Sequence, residues 1–248
     1  GDNNRRIVAK FDMFNLISLR QELRKAADPA RAKVAGRFFK TGMGEYGEGD
    51  IFLGITVPVC RTFAIRYESL TFSEVRELLK SKIHEERLIA LLILVHNFKT
   101  GSDPDRKNIF NFYLTSTKFI NNWDLVDLSA DKIVGEYLLD KDKKLLIEFG
   151  SSNSLWEKRI AIVATYAFIK KGDCEWTFLI ASQLINDRND LIQKALGWML
   201  REVGKRCGQD VEEEFLVRHY KQMGRITLRY AIEHFEETRR KQYLLGKI

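Results

Sequence analysis

The sequence predicts an all-α fold, a stacked helical solenoid of about six helix pairs, and three observations lead there. Five short stretches start at nearly equal intervals: Arg87-Leu88-Ile89-Ala90, Trp123-Asp124-Leu125-Val126, Arg159-Ile160-Ala161-Ile162, Lys194-Ala195-Leu196-Gly197 and Arg229-Tyr230-Ala231-Ile232. Their spacings are 36, 36, 35 and 35 residues, and a fixed period in that range marks stacked helical repeats. The 248 residues hold only 3 prolines amid abundant Leu, Ile, Ala, Glu, Lys and Arg, a helix-forming composition. No strand-like alternation of apolar and polar residues persists for more than a few positions.

The elements follow in order. Arg5 to Ala27 reads as a first helix, stopped at Asp28-Pro29, and Ala30 to Lys40 as a second. Gly42, Gly44, Gly47 and Gly49 make a connector that lacks the Gly-Lys-Ser/Thr ending of a P-loop and carries Glu45 and Glu48, so it is not a phosphate cradle. The expectation for it is a flexible link. From Pro58 onward helical signals recur every 12–20 residues. Thr71-Phe72-Ser73-Glu74 and Ser102-Asp103-Pro104-Asp105 are helix starts, with capping hydroxyls ahead of acidic first turns. Gly101, Gly150 and Gly172 fall where helices should stop. One domain over residues 1–248 is expected: N-terminal helices and glycine-rich loop in 5–50, repeats in 51–236 and a tail in 237–248.

The formal net charge is +7, which favours a polyanionic partner. Cys60, Cys174 and Cys207 are odd in number and far apart, with no CxxC or His/Cys cluster, so neither a disulfide framework nor a metal site is expected. The longest apolar run, Leu88 to Val95, is too short to span a bilayer. A cytoplasmic location follows as the expectation, with a monomer as the default state.

Equivalent residues of successive repeats form columns on a solenoid. The column Arg87, Trp123, Arg159, Lys194, Arg229 would run about 40 Å at roughly 10 Å per helix, long enough to follow many phosphates. The plainer alternative is solvated or internally paired cations. Four residues on lies a second column: Leu91, Asp127, Val163, Trp198, Glu233. Positions i and i+4 share a helix face, so Trp123 and Asp127 are neighbours. With Arg159 and Trp198 they make a candidate cleft of one carboxylate, two indoles and a guanidinium. Indole faces attract cations. A fixed carboxylate stabilises an oxocarbenium-like centre, as when the glycosidic bond of a cationic N-alkylpurine breaks. Arg159 could hold a phosphate and keep Asp127 ionised. Asp124 competes for the carboxylate role but lies about 100° round the helix from Trp123. The competing view makes Asp127 a surface residue and both tryptophans packing. Trp156 and Trp176 read as packing, and the four histidines show no metal or nucleophile spacing.

Phe52-Leu53-Gly54-Ile55 with Pro58 and Arg61, then Trp123-Asp124-Leu125-Val126-Asp127, Trp156-Glu157-Lys158-Arg159 and Ile192-Gln193-Lys194-Ala195-Leu196-Gly197-Trp198-Met199-Leu200-Arg201-Glu202 resemble the AlkD-like family of bacterial DNA alkylation repair proteins. The resemblance covers about residues 30–236. It implies a right-handed superhelical solenoid of HEAT-like repeats around double-stranded DNA containing alkylated bases. It also implies a monofunctional glycosylase of base excision repair that releases 3- and 7-alkylpurines without metal or cofactor. Carried over by motif, Asp127 is catalytic, Trp123 and Trp198 flank the lesion, and Arg159 lies in the cleft. Some members carry a second aromatic before the first tryptophan; this chain has Asn122. Expected DNA contacts are Arg87, Lys194, Arg201 and Arg229, with Lys33, Arg37 and Lys40 on the N-terminal helices. Two other functions remain open at this level: a non-catalytic HEAT-like protein that binds DNA structure, and a protein-interaction scaffold.

Overall fold

The structure, a computed structural model, describes residues 14–248, and its helices divide into two compact units, Gly1–Ser129 and Ala130–Ile248. In the first unit the described helices are α1 (Leu16–Ala26), α2 (Pro29–Phe38), α3 (Val57–Arg66), α4 (Phe72–Leu79), α5 (His84–Thr100), α6 (Asp103–Leu114) and α7 (Trp123–Asp127). In the second, a π-helical turn (Asp131–Gly135) and a short helix (Glu136–Leu138) lead into α8 (Lys144–Gly150). There follow α9 (Leu155–Ala164), a short helix (Tyr166–Ile169), α10 (Glu175–Leu184), α11 (Asp190–Arg206), α12 (Gln209–His219), α13 (Arg225–Ala231) and α14 (Glu237–Leu244).

The expected first helix falls partly outside the described residues. Its described part starts at Leu16, where Asn15 accepts the Ser18 N–H and Ser18 answers back in a capping box. The second helix begins one residue earlier than expected, at Pro29, with Asp28 accepting the N–H groups of Ala30 and Arg31. Thr71 and Ser102 cap α4 and α6 where helix starts were expected, each through a capping box, and Gly101 ends α5.

α5 is the centre of the first unit. It packs against α3, α4, α6 and α7, and buries Leu88 through Leu94 almost completely, which explains why its sequence is apolar on every side. In the second unit α9 packs on α11, and α11 on both α12 and α13. Helices α11 and α13 approach closely at Gly197, where a Cβ would sit 2.4 Å from Cβ of Tyr230 and 2.6 Å from the Thr227 carbonyl. The repeated slots thus sit at Arg87 on α5, Trp123 on α7, Arg159 on α9, Lys194 on α11 and Arg229 on α13, each within the first five residues of its helix. Within each unit the slot-bearing helices pack in sequence order, α5 on α7, and α9 on α11 on α13, as the 35–36-residue period requires.

Two expectations are corrected. Cys174 and Cys207, which carry no spacing signature, are paired as a disulfide across a separation of 33 residues, because the start of α10 meets the end of α11. The glycine-rich connector is not a loose link: Gly42 N–H donates to the Glu45 carboxylate at 2.9 Å, Gly44 N–H to Glu48 at 2.8 Å and Gly47 N–H to the Lys40 carbonyl at 3.1 Å, and the segment after it is anchored too. Ile51 forms a parallel bridge with Ile83, and its N–H reaches the Lys82 carbonyl while its carbonyl accepts from His84. The buried Glu85 carboxylate then accepts the N–H groups of Leu53, Gly54 and Ile55 at 2.8–3.2 Å. Gly54 has φ +81°, and a Cβ there would lie 2.2 Å from the Asp28 carbonyl, so the turn requires glycine. Among the described residues no helix is long and apolar enough to cross a membrane.

Candidate functional site

Helix α7 is five residues long, Trp123–Asp127, too short to be stable by itself. It is held from outside. Leu125 and Val126 are fully buried. Asn122, also buried, accepts the Trp123 N–H at 2.8 Å and donates to Asp50 Oδ2 at 3.4 Å. Asp124 points inward, and its Oδ2 lies 2.6 Å from Nε2 of His84, at the start of α5. The other ring nitrogen of His84 lies 3.3 Å from Asp50 Oδ2, which also accepts from Arg87 at 2.7 Å. Arg87 completes the cluster by donating to the Ser81 carbonyl at 3.0 Å.

Charge balance follows from this geometry. Burial by itself would lower the His84 pKa, but hydrogen bonds to Asp124 and Asp50 outweigh it and hold the value above the ordinary 6.5. Asp50 shows the converse: burial would raise it, while the His84 hydrogen bond and the Arg87 charge keep it below 3.8. A charged imidazolium donating to carboxylates on both sides satisfies both ring nitrogens.

An aromatic stack lies over the same imidazole. The His84 ring stacks on Phe52 with centroids 4.5 Å apart. Phe39 stacks on Phe52 at 5.0 Å and on Trp123 at 5.1 Å. Trp123 is therefore fixed by the end of α2 and by the anchored connector. Trp123 and Asp127, half-buried, stand one turn apart at the two ends of α7. Asp124 is 7% exposed and bound to His84, which removes it from competition with Asp127.

In the second unit Arg159 is 5% exposed and donates from Nη1 to the Leu191 carbonyl at the start of α11. Trp198, half-buried on α11, has its ring 6.2 Å from Tyr166. Lys194, one turn before Trp198, is half-buried and Arg229 on α13 is exposed. Arg201 is ion-paired with Glu233. In the first unit Lys33, Arg37 and Lys40 are all exposed.

The expected row of surface cations therefore needs correction. Arg87 is 3% exposed and its guanidinium is occupied by Asp50 and Ser81, so it braces α5 and the connector rather than facing a ligand. Asp50, His84, Phe39 and Glu85 were not singled out from sequence, and Phe52 only as part of a family-like stretch. His84 is 34 residues from Asp50 and 40 from Asp124, separations no motif encodes. Among the described residues no group of three or more His, Cys, Asp and Glu is placed to hold a metal ion.

The chain matches the family profile of DNA alkylation repair enzymes over residues 19–235. A solved structure of a predicted DNA alkylation repair enzyme from Enterococcus faecalis aligns with a TM-score of 0.66 at 16% identity, covering 85% of this chain and 97% of that one. At that identity the likeness shows a common fold. No curated protein matches the chain. A family match across most of the sequence, spanning both Trp123-Asp124-Leu125-Val126-Asp127 and the Trp198 helix, places this chain in the DNA alkylation repair enzyme family.

Proposed function

We propose that the protein is a monofunctional DNA glycosylase that hydrolyses the N-glycosidic bond of cationic 3- and 7-alkylpurines in double-stranded DNA. The observation that carries this reading is the bracing of α7: a buried His84–Asp124 pair and the Phe39 ring hold Trp123 and Asp127 in fixed register on one short helix. Such preorganisation is what electrostatic catalysis needs, because a carboxylate already in place costs no rearrangement when positive charge develops.

The chemistry is economical. Alkylation at N3 or N7 makes the purine a cation, so it leaves neutral when the C1′–N bond breaks and takes the bonding pair. No proton donor to the base is required. The deoxyribose becomes oxocarbenium-like, and Asp127 stabilises that charge. Water adds at C1′ and gives up its proton to the carboxylate or to solvent. Trp123 offers its indole face to the cationic nucleotide. Lys194, Arg229, Lys33, Arg37 and Lys40 serve the backbone of the duplex, whereas Arg159 is buried on the Leu191 carbonyl and Arg201 is ion-paired with Glu233. This reading asks for no metal or cofactor and for one copy of the chain.

The test is release of free 7-methylguanine from methylated duplex DNA by wild type and by Asp127→Asn. Release by wild type alone, with binding retained in the variant, is the expected result. Equal release by both would remove Asp127 from catalysis. Binding without release by either protein would leave a non-catalytic DNA-structure binder.

A further inference from the structure

Cys174 and Cys207 stand at opposite kinds of helix end. Cys174 is the N-cap of α10, and Cys207 follows the last residue of α11 as its C-cap. Joined, they tie the two helices together at one point. The two sulfurs are not equally placed: Cys174 is 8% exposed, while Cys207 is half-buried. An N-cap side chain ordinarily accepts N–H groups of the first helical turn. The Cys174 side chain makes no such bond. Asp173 takes the Glu175 N–H at 3.1 Å, so the N–H groups that an N-cap would take are those of Trp176 and Thr177. Thr177 is the third residue of α10, the position from which a side chain reaches back to the N-cap in a capping box. It is fully buried, and its Oγ1 has no hydrogen-bond partner among the described residues. Lys170, Lys171, Lys205 and Arg206 are exposed within four positions of one cysteine or the other, with Asp173 and Glu175 as the acidic neighbours.

A permanent cross-link leaves the start of α10 and the Thr177 hydroxyl unsatisfied in its only state, and a buried hydroxyl without a partner is costly. A thiolate at Cys174 satisfies both, since it accepts from N–H groups at a helix N-terminus and from the Thr177 O–H. Helix N-termini and nearby cations stabilise thiolates, and a thiol that ionises easily is a good leaving group in disulfide exchange. The cations also favour the approach of an anionic reagent. The geometry thus separates the two roles of exchange: an accessible sulfur to be attacked and a buried one ready to leave.

We propose that the Cys174–Cys207 disulfide is a reversible exchange site for small anionic thiols, with Cys207 the sulfur attacked and Cys174 the sulfur released. An external thiolate attacks Sγ of Cys207 and forms a mixed disulfide there. The protein S–S bond breaks, and its electron pair leaves with Cys174 as a thiolate. A second external thiolate attacks the small-molecule sulfur of the mixed disulfide and departs with it as an oxidised small disulfide. Cys207 is released as a thiolate and takes a proton from solvent. Two small thiols are oxidised, and the protein pair gains two electrons. Reduction unties α10 from the end of α11. Arg206, adjacent to Cys207, donates to the Tyr166 hydroxyl at 2.7 Å, and the Tyr166 ring lies 6.2 Å from that of Trp198, so the untied end is the one that carries these contacts. The exchange chemistry stands apart from base release and does not depend on it.

The test incubates the full chain in buffers of graded reduced-to-oxidised glutathione ratio, traps free thiols with N-ethylmaleimide and reads each cysteine by peptide mass spectrometry. Cys60 is the internal control. It is fully buried, and burial pushes its thiol up to about 12, so its labelling marks unfolded molecules. Cys174 and Cys207 should become labelled together as the buffer turns reducing, while Cys60 stays unlabelled. The trapped intermediate should carry glutathione on Cys207. Thr177→Val keeps the shape and removes the hydroxyl. It should shift the half-reduction point roughly tenfold toward more reducing buffer, the weight of one hydrogen bond to a charged group. Thr177→Ser, which keeps the hydroxyl, should titrate as wild type. A pair that stays oxidised until Cys60 is labelled overturns the proposal, because the cross-link is then purely structural. Free thiols at both positions in fully oxidised glutathione overturn it as well. Glutathione trapped on Cys174, or a Thr177→Val midpoint equal to that of wild type, overturns the assignment of Cys174 as the sulfur released.

Discussion

His84 Nε2 and Asp124 Oδ2 lie 2.6 Å apart in a buried pair that fastens the start of α5 to the interior face of α7. Removing one partner of such a pair strands the other charge, at a cost of about 3 kcal/mol or more. His84→Gln should therefore lower unfolding stability by that order at pH 6, measured by urea denaturation. The His84 pKa is raised in the folded state. Its contribution is then fully present below the unfolded value of 6.5 and is lost as pH rises through the folded value. The gap between wild type and His84→Gln should close on the alkaline side. A gap that widens with pH would contradict the charged imidazolium.

Arg87 and Lys194 occupy equivalent slots, yet the structure separates their roles. Lys194→Ala and Arg229→Ala should each weaken DNA binding across sequences and reduce the salt slope by about one unit. Arg87→Ala should instead destabilise the fold by about 3 kcal/mol, because it leaves Asp50 with one fewer partner in a buried site. Salt titrations of binding beside denaturation curves distinguish the two. A reduced salt slope for Arg87→Ala with normal stability would return that residue to the binding surface.

Trp198 is half-buried one turn beyond Lys194. Under the proposed function, Trp198→Ala should cut base release at saturating enzyme by more than it weakens binding. A binding defect as large as that of Lys194→Ala, with single-turnover release intact, would make it a binding residue only.

Glu212 on α12 is 1% exposed, and one carboxylate oxygen has no hydrogen-bond partner. Burial pushes its pKa up to about 9, with the Glu213 charge adding to the shift. A carboxyl raised in the folded state favours folding below its unfolded value of 4.5 relative to higher pH, and that contribution is lost as pH rises toward 9. Glu212→Gln removes the titration and keeps the shape. The variant should be more stable than wild type at pH 8, by at most about 5 kcal/mol, and the advantage should vanish near pH 4. Equal stability across that range would show that Glu212 is charged in the fold.

Much of the architecture was legible in the chain because repetition is a local property. The 35–36-residue period, the helix starts at Thr71 and Ser102 and the stop at Gly101 need only neighbours in sequence, and the structure reproduces each. The pairing of Trp123 with Asp127 was legible for the same reason, since one helical turn separates them. Membership of the DNA alkylation repair enzyme family was likewise carried by local motifs.

Tertiary structure alone decided which members of a column face solvent. Arg87 and Arg229 look alike in sequence, but one meets Asp50 across 37 residues and the other meets water. Periodicity fixes where a side chain starts along a helix; it does not encode which loop comes back to cover it. The connector brings Asp50, Phe52 and three backbone N–H groups to α5, and that return path is what buries His84, Glu85 and Arg87. Hydrogen bonds to Asp124 and Asp50 then hold the His84 pKa up against its burial, and the His84 bond turns Asp124 into a brace. Long-range closure of that kind depends on contacts separated by tens of residues, and a single sequence carries no signal for them.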